Sequence, residues 1–446
     1  MSERPFDNLG MEAPMGGGFR PQPQRELFKR YGVLVSLSAG ARVFGFVAVV
    51  LMARGLGVEV FGELTFAQAI VGYGVTFMAF GLGIYGIRAA VRQPAELGTL
   101  ASSIIGIRLV LGALAYSILI AVSLLPTFRP MAGLIALFGL TLFTSAIYVD
   151  WVALAQQRTD VIGISGLATQ LLFLGQVFVA LRLGLGKHAV PVALVTSELV
   201  VGLGLLLWLH RRVGSLRPPL DLAGCRGIVR RAAPIAGSQM LRAVALSSDL
   251  VLLGLLVTMD QVGAYGAAYK IFIMGFTFVS LYVSVVLPHL VHHGTASVEQ
   301  LSTEVGSLLW KALALAVPAA LLGIALAPRL MGAVFGSEFA TASTPMRLLI
   351  LAVVASLIAA HYRPAVLALG EHKIDLRNVA SASLVHVSSK LLLIPLLGLT
   401  GAALGTLLGE AVFAGTSWLT IRRLVTDAQR GKATLGSSDG GDADPE

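Results

Sequence analysis

Arg42, Arg108, Arg242, Asp249, Lys270, Lys390 and Glu410 all fall inside long apolar runs. One such charge at the centre of a membrane helix costs on the order of 3 kcal/mol, so these positions are the first place to look for function. The set is mostly cationic, the opposite of the bias expected of a cation exporter. A cationic cleft suits an anionic cargo. Arginine suits phosphate in particular, because its planar fork donates two parallel hydrogen bonds. Arg42 and Arg242 each lie on the opening helix of one half of the chain, where two facing helices could grip a diphosphate between them. For Arg108 and Lys270, nearer to span ends, the alternative is a side chain that snorkels to the headgroups.

Helical phase groups further residues with these. At 3.6 residues per turn, Ser238, Arg242 and Asp249 form a narrow stripe on one span, and Ser383, His386 and Lys390 do so on another. A polar stripe on an apolar helix faces a cavity or another helix rather than lipid. Two arrangements fit and are compatible: a water-filled cavity, or an interhelical clamp in which Asp249 takes a cation from a neighbour. Asp249 and Glu410 are also the carboxylates that could couple transport to an ion.

The elements that position these groups follow from composition. Of 446 residues, 56% are hydrophobic and 13% charged, about half the charge of a soluble domain. At about 20 apolar residues per crossing, the length accommodates around twelve helices, an all-α polytopic membrane protein. Apolar spans are read at 31–53, 64–87, 99–124, 131–152, 161–183, 190–209, 233–257, 264–287, 312–328, 346–369, 379–397 and 401–421, separated by short turn-rich loops. The longest loop, 210–232, divides the chain into six-helix bundles at 25–209 and 233–425. Residues 1–24, rich in Gly, Pro and Met, and the acidic 426–446 read as disordered tails. With the N-terminus cytoplasmic, Arg88, Arg92, Arg158, Arg211, Arg212, Arg230, Arg231, Arg422 and Arg423 fall on the cytoplasmic side. The other side receives little beyond Arg54, Arg129, Arg182, Lys187, Arg329 and Arg347. This asymmetry selects both ends in the cytoplasm and a multi-pass protein of the inner, cytoplasmic membrane.

Several function classes drop out. The net charge of +9 is spread between apolar runs, which fits cytoplasmic loops better than nucleic-acid binding. Cys225 is the sole cysteine, so an internal disulfide and a thiolate metal cluster are excluded. His292 and His293 are adjacent and lack the spacing and carboxylate support of a zinc site. No GxxxxGK[ST] loop is present, so the chain does not itself hydrolyse nucleotide. No cofactor and no enzymatic apparatus are expected. Gly202-Leu203-Gly204 sits in an apolar helix, where small residues allow close packing.

An internal echo supports the division into halves. LGVEVFGELTFAQA follows the first span and VTMDQVGAYGAAYK the seventh. Each carries an acidic residue (Glu59, Asp260) and then an aromatic-Gly pair, Phe61-Gly62 and Tyr265-Gly266. The pairs are 204 positions apart (61 to 265). Duplicated halves usually place a substrate site at their interface.

The segment SAGARVFGFVAVVLMARGLGVEVFGELTFA resembles the first-helix pattern of the polysaccharide and lipid-linked oligosaccharide flippases of the multidrug/oligosaccharidyl-lipid/polysaccharide exporter superfamily. It supplies Arg42-Val43-Phe44-Gly45, Ala53-Arg54-Gly55-Leu56-Gly57 and Glu59-Val60-Phe61-Gly62. The closing LLLIPLLGLTGAALGTLLGEAVFAG is similar to that family's I-P-x-x-G step. The resemblance implies a cargo of undecaprenyl-diphosphate-linked oligosaccharide, carried to the outer leaflet by alternating access without ATP. Its partners would be membrane lipids and the polymerase and glycosyltransferases of the same pathway. It also implies that Arg42 contacts the diphosphate. Arg242 has no motif match, and its candidacy rests on its stripe. Twelve spans rather than fourteen favour the exopolysaccharide or O-antigen branch. The alternatives are an ion-coupled drug or metabolite antiporter of the same superfamily, a major-facilitator transporter and a structural scaffold. The loop RAAVRQPAEL lacks the major-facilitator G-x-x-x-D-R-x-G-R-R pattern, and a scaffold has no need of buried cations.

Overall fold

A computed structural model describes residues 24–213, 222–292, 298–369 and 371–436. Twelve spans are long and apolar enough to cross a membrane. They are α1 (Gly32–Leu56), α2 (Val58–Arg92), α3 (Pro94–Ser123), α4 (Arg129–Ala155), α5 (Thr159–Arg182), α6 (Ala189–Val213), α7 (Gly224–Leu256), α8 (Met259–Val279), α9 (Val305–Phe335), α10 (Ser337–Val366), α11 (Lys373–Leu397) and α12 (Leu399–Asp427). No strand occurs among the described residues. The fold is the all-α, twelve-span architecture that the composition requires. An even number of crossings returns the last helix to the side on which the first began.

The surface is inverted relative to a soluble protein. Trp310, Leu315, Leu384 and Leu396 are 70–79% exposed while Asp249 and Lys390 are fully buried. That distribution is stable only where hydrocarbon is the solvent, since lipid tails cost nothing to Leu and a great deal to an unpaired charge. Charges draw the sequence boundaries too tightly at several spans, the ninth among them. The ninth span was read as 312–328, between Lys311 and Arg329, whereas α9 passes through both, and both side chains are exposed. The helices also extend into segments read as loop or tail. Helix continues to Val213, resumes at Leu222, and runs from Leu399 to Gly436. Residues 1–23, 214–221, 293–297, 370 and 437–446, with His293 among them, lie outside the described residues.

The second six spans repeat the neighbour pattern of the first. The pair α1·α5 recurs as α7·α11, α5·α6 as α11·α12, α4·α6 as α10·α12, and α3·α4 as α9·α10. Between the halves, α2 packs against α7 and α8. At the start of α2 and α8 the backbones touch. A methyl group added at Gly62 would overlap the Met259 carbonyl, and one added at Gly263 would overlap the Val58 carbonyl. Those two contacts are related by a shift of 201 positions (62 to 263, 58 to 259). The structural repeat therefore pairs Gly62 with Gly263, not with Gly266 as the aromatic-Gly alignment has it. The acidic residues Glu59 and Asp260 obey the 201 register too. The aromatic misled because packing conserves the small residue at the crossing, where backbones approach, rather than the side chain before it.

Midway along α2, Phe80 and Gly81 adopt left-handed dihedrals (φ 44° and 67°) and break the helix. A side chain at Gly81 would strike Ile235 of α7. Glycine is needed there for its dihedral and for the close approach. The break seats the first half on α7 beside Pro234.

Candidate functional site

A cavity of about 510 Å³ lies between the halves, walled by α1, α2, α5 and α8 with contributions from α4 and α6. Its charged lining residues are Arg42 and Lys270. Arg42 Nη1 donates to Thr277 Oγ1 at 3.0 Å, from α1 to α8. Lys270 Nζ donates to Gln68 Oε1 at 3.0 Å, from α8 to α2. Each half therefore contributes one cation, and each cation is held by a neutral group on the opposite half. Neither has an acidic partner within ion-pair distance among the described residues. Phe46, Phe138 and Phe173 line the same space, so the cavity offers two positive charges in an apolar surround.

One end of this cavity is sealed where α1 meets α2. Arg54 Nε donates to the Val334 carbonyl at 2.8 Å and its Nη2 to the Ala333 carbonyl. Phe61 meets Phe339 edge-on with ring centroids 5.8 Å apart, and Phe46 meets Phe335 at 5.9 Å. With the backbone contact at Gly62 and Gly263, these close the side away from the start of α1.

The second half carries a buried polar core of its own. Lys390 Nζ lies 3.8 Å from Asp249 Oδ2 and donates to the Ala245 carbonyl at 2.9 Å. Asp249 also accepts from the Tyr265 hydroxyl at 2.7 Å and the backbone N–H of Leu250 at 2.9 Å. One helical turn away, His386 Nε2 is 3.5 Å from Glu410 Oε1, and Ser356 donates to Glu410 Oε2 at 2.8 Å. Arg242 lies over the Phe276 ring, 5.5 Å from its centroid. With Ser383, His386 and Glu410 it lines a void of about 20 Å³, room for about one water. The two stripes thus meet each other as an interhelical clamp. Ser238 stays outside it: exposed, with its hydroxyl donating to the Ile235 carbonyl. Neither Arg242 nor Lys390 lines the cavity that holds Arg42.

Arg108 occupies a third place. It is 7% exposed, and its Nη1 donates to the Tyr148 carbonyl at 3.0 Å. It lines a cavity of about 370 Å³ inside the first half, together with Asp150 and Glu198. Glu198 accepts from the hydroxyls of Thr144 and Ser145. Neither carboxylate was singled out from sequence. Glu198 sits inside the apolar run 190–209, and the rule that found Glu410 applies to it equally. Among the described residues no group of three or more His, Cys, Asp or Glu is placed to hold a metal.

Residues 27–293, more than half of the chain, match the model of the polysaccharide biosynthesis protein family. The chain belongs to the polysaccharide biosynthesis protein family. No curated protein matches the sequence. Among solved structures, this family member is similar to the lipid II flippase MurJ in an inward closed conformation. The TM-score is 0.72 at 11% identity, covering 92% of this chain and 93% of that one. It is similar also to a multidrug resistance MATE family transporter of the MOP superfamily. Against the inward-facing form of a MATE transporter the TM-score is 0.65 at 17% identity, over 89% and 95% of the two chains. Against an outward-facing form it is 0.59 at 14% identity, over 89% and 96%. These likenesses establish the twelve-helix fold for the polysaccharide biosynthesis protein described here.

Proposed function

We infer that this protein is a flippase that carries undecaprenyl-diphosphate-linked oligosaccharide from the cytoplasmic to the outer leaflet by alternating access, for surface or exopolysaccharide synthesis. The observation that carries this reading is the cavity with one cation from each half, each tied across the interface only to a neutral side chain. A diphosphate entering there replaces Thr277 and Gln68 as acceptor with charged oxygens, and charge-assisted hydrogen bonds are roughly twice as strong as neutral ones. Bridging both cations draws the halves together around the cargo, so binding is coupled to the relative position of the halves. The seal at Arg54 and Phe61 then marks the outer side, in keeping with the basic loops on the other side. Membrane family and fold support this reading, as does the name of the neighbour MurJ. Partners are the lipid-linked oligosaccharide, membrane lipids and the pathway's glycosyltransferases and polymerase, at the inner membrane.

An ion-coupled drug or metabolite antiporter, the competing reading, calls for carboxylates in the cavity. The described residues lining it include none. The test is a clean deletion in a strain without a paralogue, scored for leaflet-trapped lipid-linked glycan. Accumulation on the cytoplasmic leaflet is expected, reproduced by Arg42→Ala. Normal surface polysaccharide overturns the reading.

A further inference from the structure

The cavity around Arg108 is not used by anything described so far, yet it adjoins the cationic one. Gly166 and Gln170 of α5 line both. The Gln170 carboxamide also presses on α1 one turn after Arg42: a methyl group at Gly45 would lie 2.6 Å from its Oε1. The side cavity therefore adjoins the main one along the stretch of α5 that faces Arg42. Its polar groups differ in kind from those of the main cavity. Two carboxylates, Asp150 and Glu198, stand with a single guanidinium, Arg108. The Tyr148 and Thr169 hydroxyls, 2.7 Å apart, add donors and acceptors.

These groups are not consumed by the fold. Arg108 is 93% buried by its 7% exposure, yet its Nε has no hydrogen-bond partner among the described residues. Both bonds to Glu198 fall on Oε2, so Oε1 has no hydrogen-bond partner among the described residues. Asp150 Oδ1 accepts only from the neighbouring Trp151 N–H, at 2.9 Å. A buried polar atom left without a partner is costly, and here an incompletely satisfied guanidinium and two carboxylates line one space. At about 370 Å³ the space lies within the range of small-ligand pockets, roughly 300–1,000 Å³.

We propose that this side cavity is a saccharide subsite that receives the sugar next to the diphosphate, with Glu198 and Asp150 accepting from its hydroxyls and Arg108 donating to its oxygens. The inference rests on the flippase reading and extends it. With two carboxylates against one cation, the subsite selects a sugar rich in hydroxyls and without an acid group. The lipid-diphosphate anchor is held by Arg42 and Lys270, and the sugar is read separately, inside the first half.

The test compares two probes on the full chain in nanodiscs: undecaprenyl diphosphate and undecaprenyl-diphospho-N-acetylglucosamine, whose sugar has hydroxyls and no acid. Wild-type protein is expected to bind the glycosylated lipid about tenfold more tightly than the bare one. Glu198→Gln and Arg108→Gln abolish that difference and leave the bare lipid unaffected, whereas Arg42→Gln weakens both. Because a variant of a buried residue can fail to fold, hydrogen exchange on wild-type protein supplies a second readout. Backbone amides at 144–150 and 166–170 are protected by the glycosylated lipid and not by the bare one. Equal affinity of wild-type protein for the two probes, or equal protection by both, overturns the subsite. Indifference of both probes to Arg42→Gln overturns the diphosphate reading instead.

Discussion

Lys390 on α11 and Asp249 on α7 form an ion pair at 3.8 Å with both side chains wholly out of contact with solvent. The pair is long, and the Lys390 ammonium makes its shortest bond to the Ala245 carbonyl, while Asp249 takes the Tyr265 hydroxyl. Removing one member strands the other charge in the core, which typically costs 3–5 kcal/mol. Lys390→Met and Asp249→Asn should each lower stability by about that amount. The double variant should lose far less than the sum, since neither charge is left behind. Thermal unfolding of the four proteins in one detergent measures the cycle. Additive losses would show that the two residues act independently.

The crossing of α2 and α8 makes a second expectation. An added methyl at Gly62 has nowhere to go except into the Met259 carbonyl. Gly62→Ala should destabilise by about 1–3 kcal/mol, the usual cost of overpacking. Gly204→Ala is the control, because nothing lies within 4 Å of its added methyl. There the gain in helix propensity, up to about 1 kcal/mol, should appear alone. Unfolding midpoints that move alike for both variants would mean the close approach carries no weight.

The seal should open when Arg54 is removed. Arg54 holds the Val334 and Ala333 carbonyls across the interface. The sole native cysteine, Cys225, can be replaced by Ser to give a clean background for labelling. A cysteine at Leu64, which is 4% exposed and lines the cavity below the seal, should react slowly with a membrane-impermeant thiol reagent from the sealed side. Arg54→Ala should raise that rate several-fold. An unchanged rate in Arg54→Ala would mean that this arginine does not hold the seal.

Much of this was legible in the sequence, for identifiable reasons. Twelve spans follow from hydropathy because lipid requires every backbone group to be satisfied within the span, and runs of about 20 apolar residues meet that as helices. The meeting of Asp249 with Lys390 is foreshadowed by helical phase, since buried charge in a greasy helix has to find a partner. Glu410 belongs to neither stripe and is legible only as a charge inside a span. Phase says which face a residue occupies but not which neighbour lies opposite. For that reason Arg42 was matched with Arg242, its counterpart on the opening helix of the other half. In the structure Lys270 shares its cavity, because α8 rather than α7 faces α1 at that depth. Glu198, inside the apolar run 190–209, is legible by the same rule as Glu410. Asp150 sits at a span edge, where a carboxylate attracts no notice until the fold turns it toward Arg108.

The central claim is that one cation from each half grips a diphosphate, and a leaflet-exchange assay tests it most directly. Purified protein in vesicles is supplied with fluorescent undecaprenyl-diphospho-N-acetylglucosamine, and the fraction quenched by an impermeant reductant is followed over time. Wild-type protein should equilibrate the lipid between leaflets. Arg42→Gln and Lys270→Gln should each slow the exchange roughly ten- to hundredfold, the loss of one charged hydrogen bond of about 1.5–3 kcal/mol. The double variant should be inactive while still folded. Exchange at the wild-type rate in the double variant would contradict the claim.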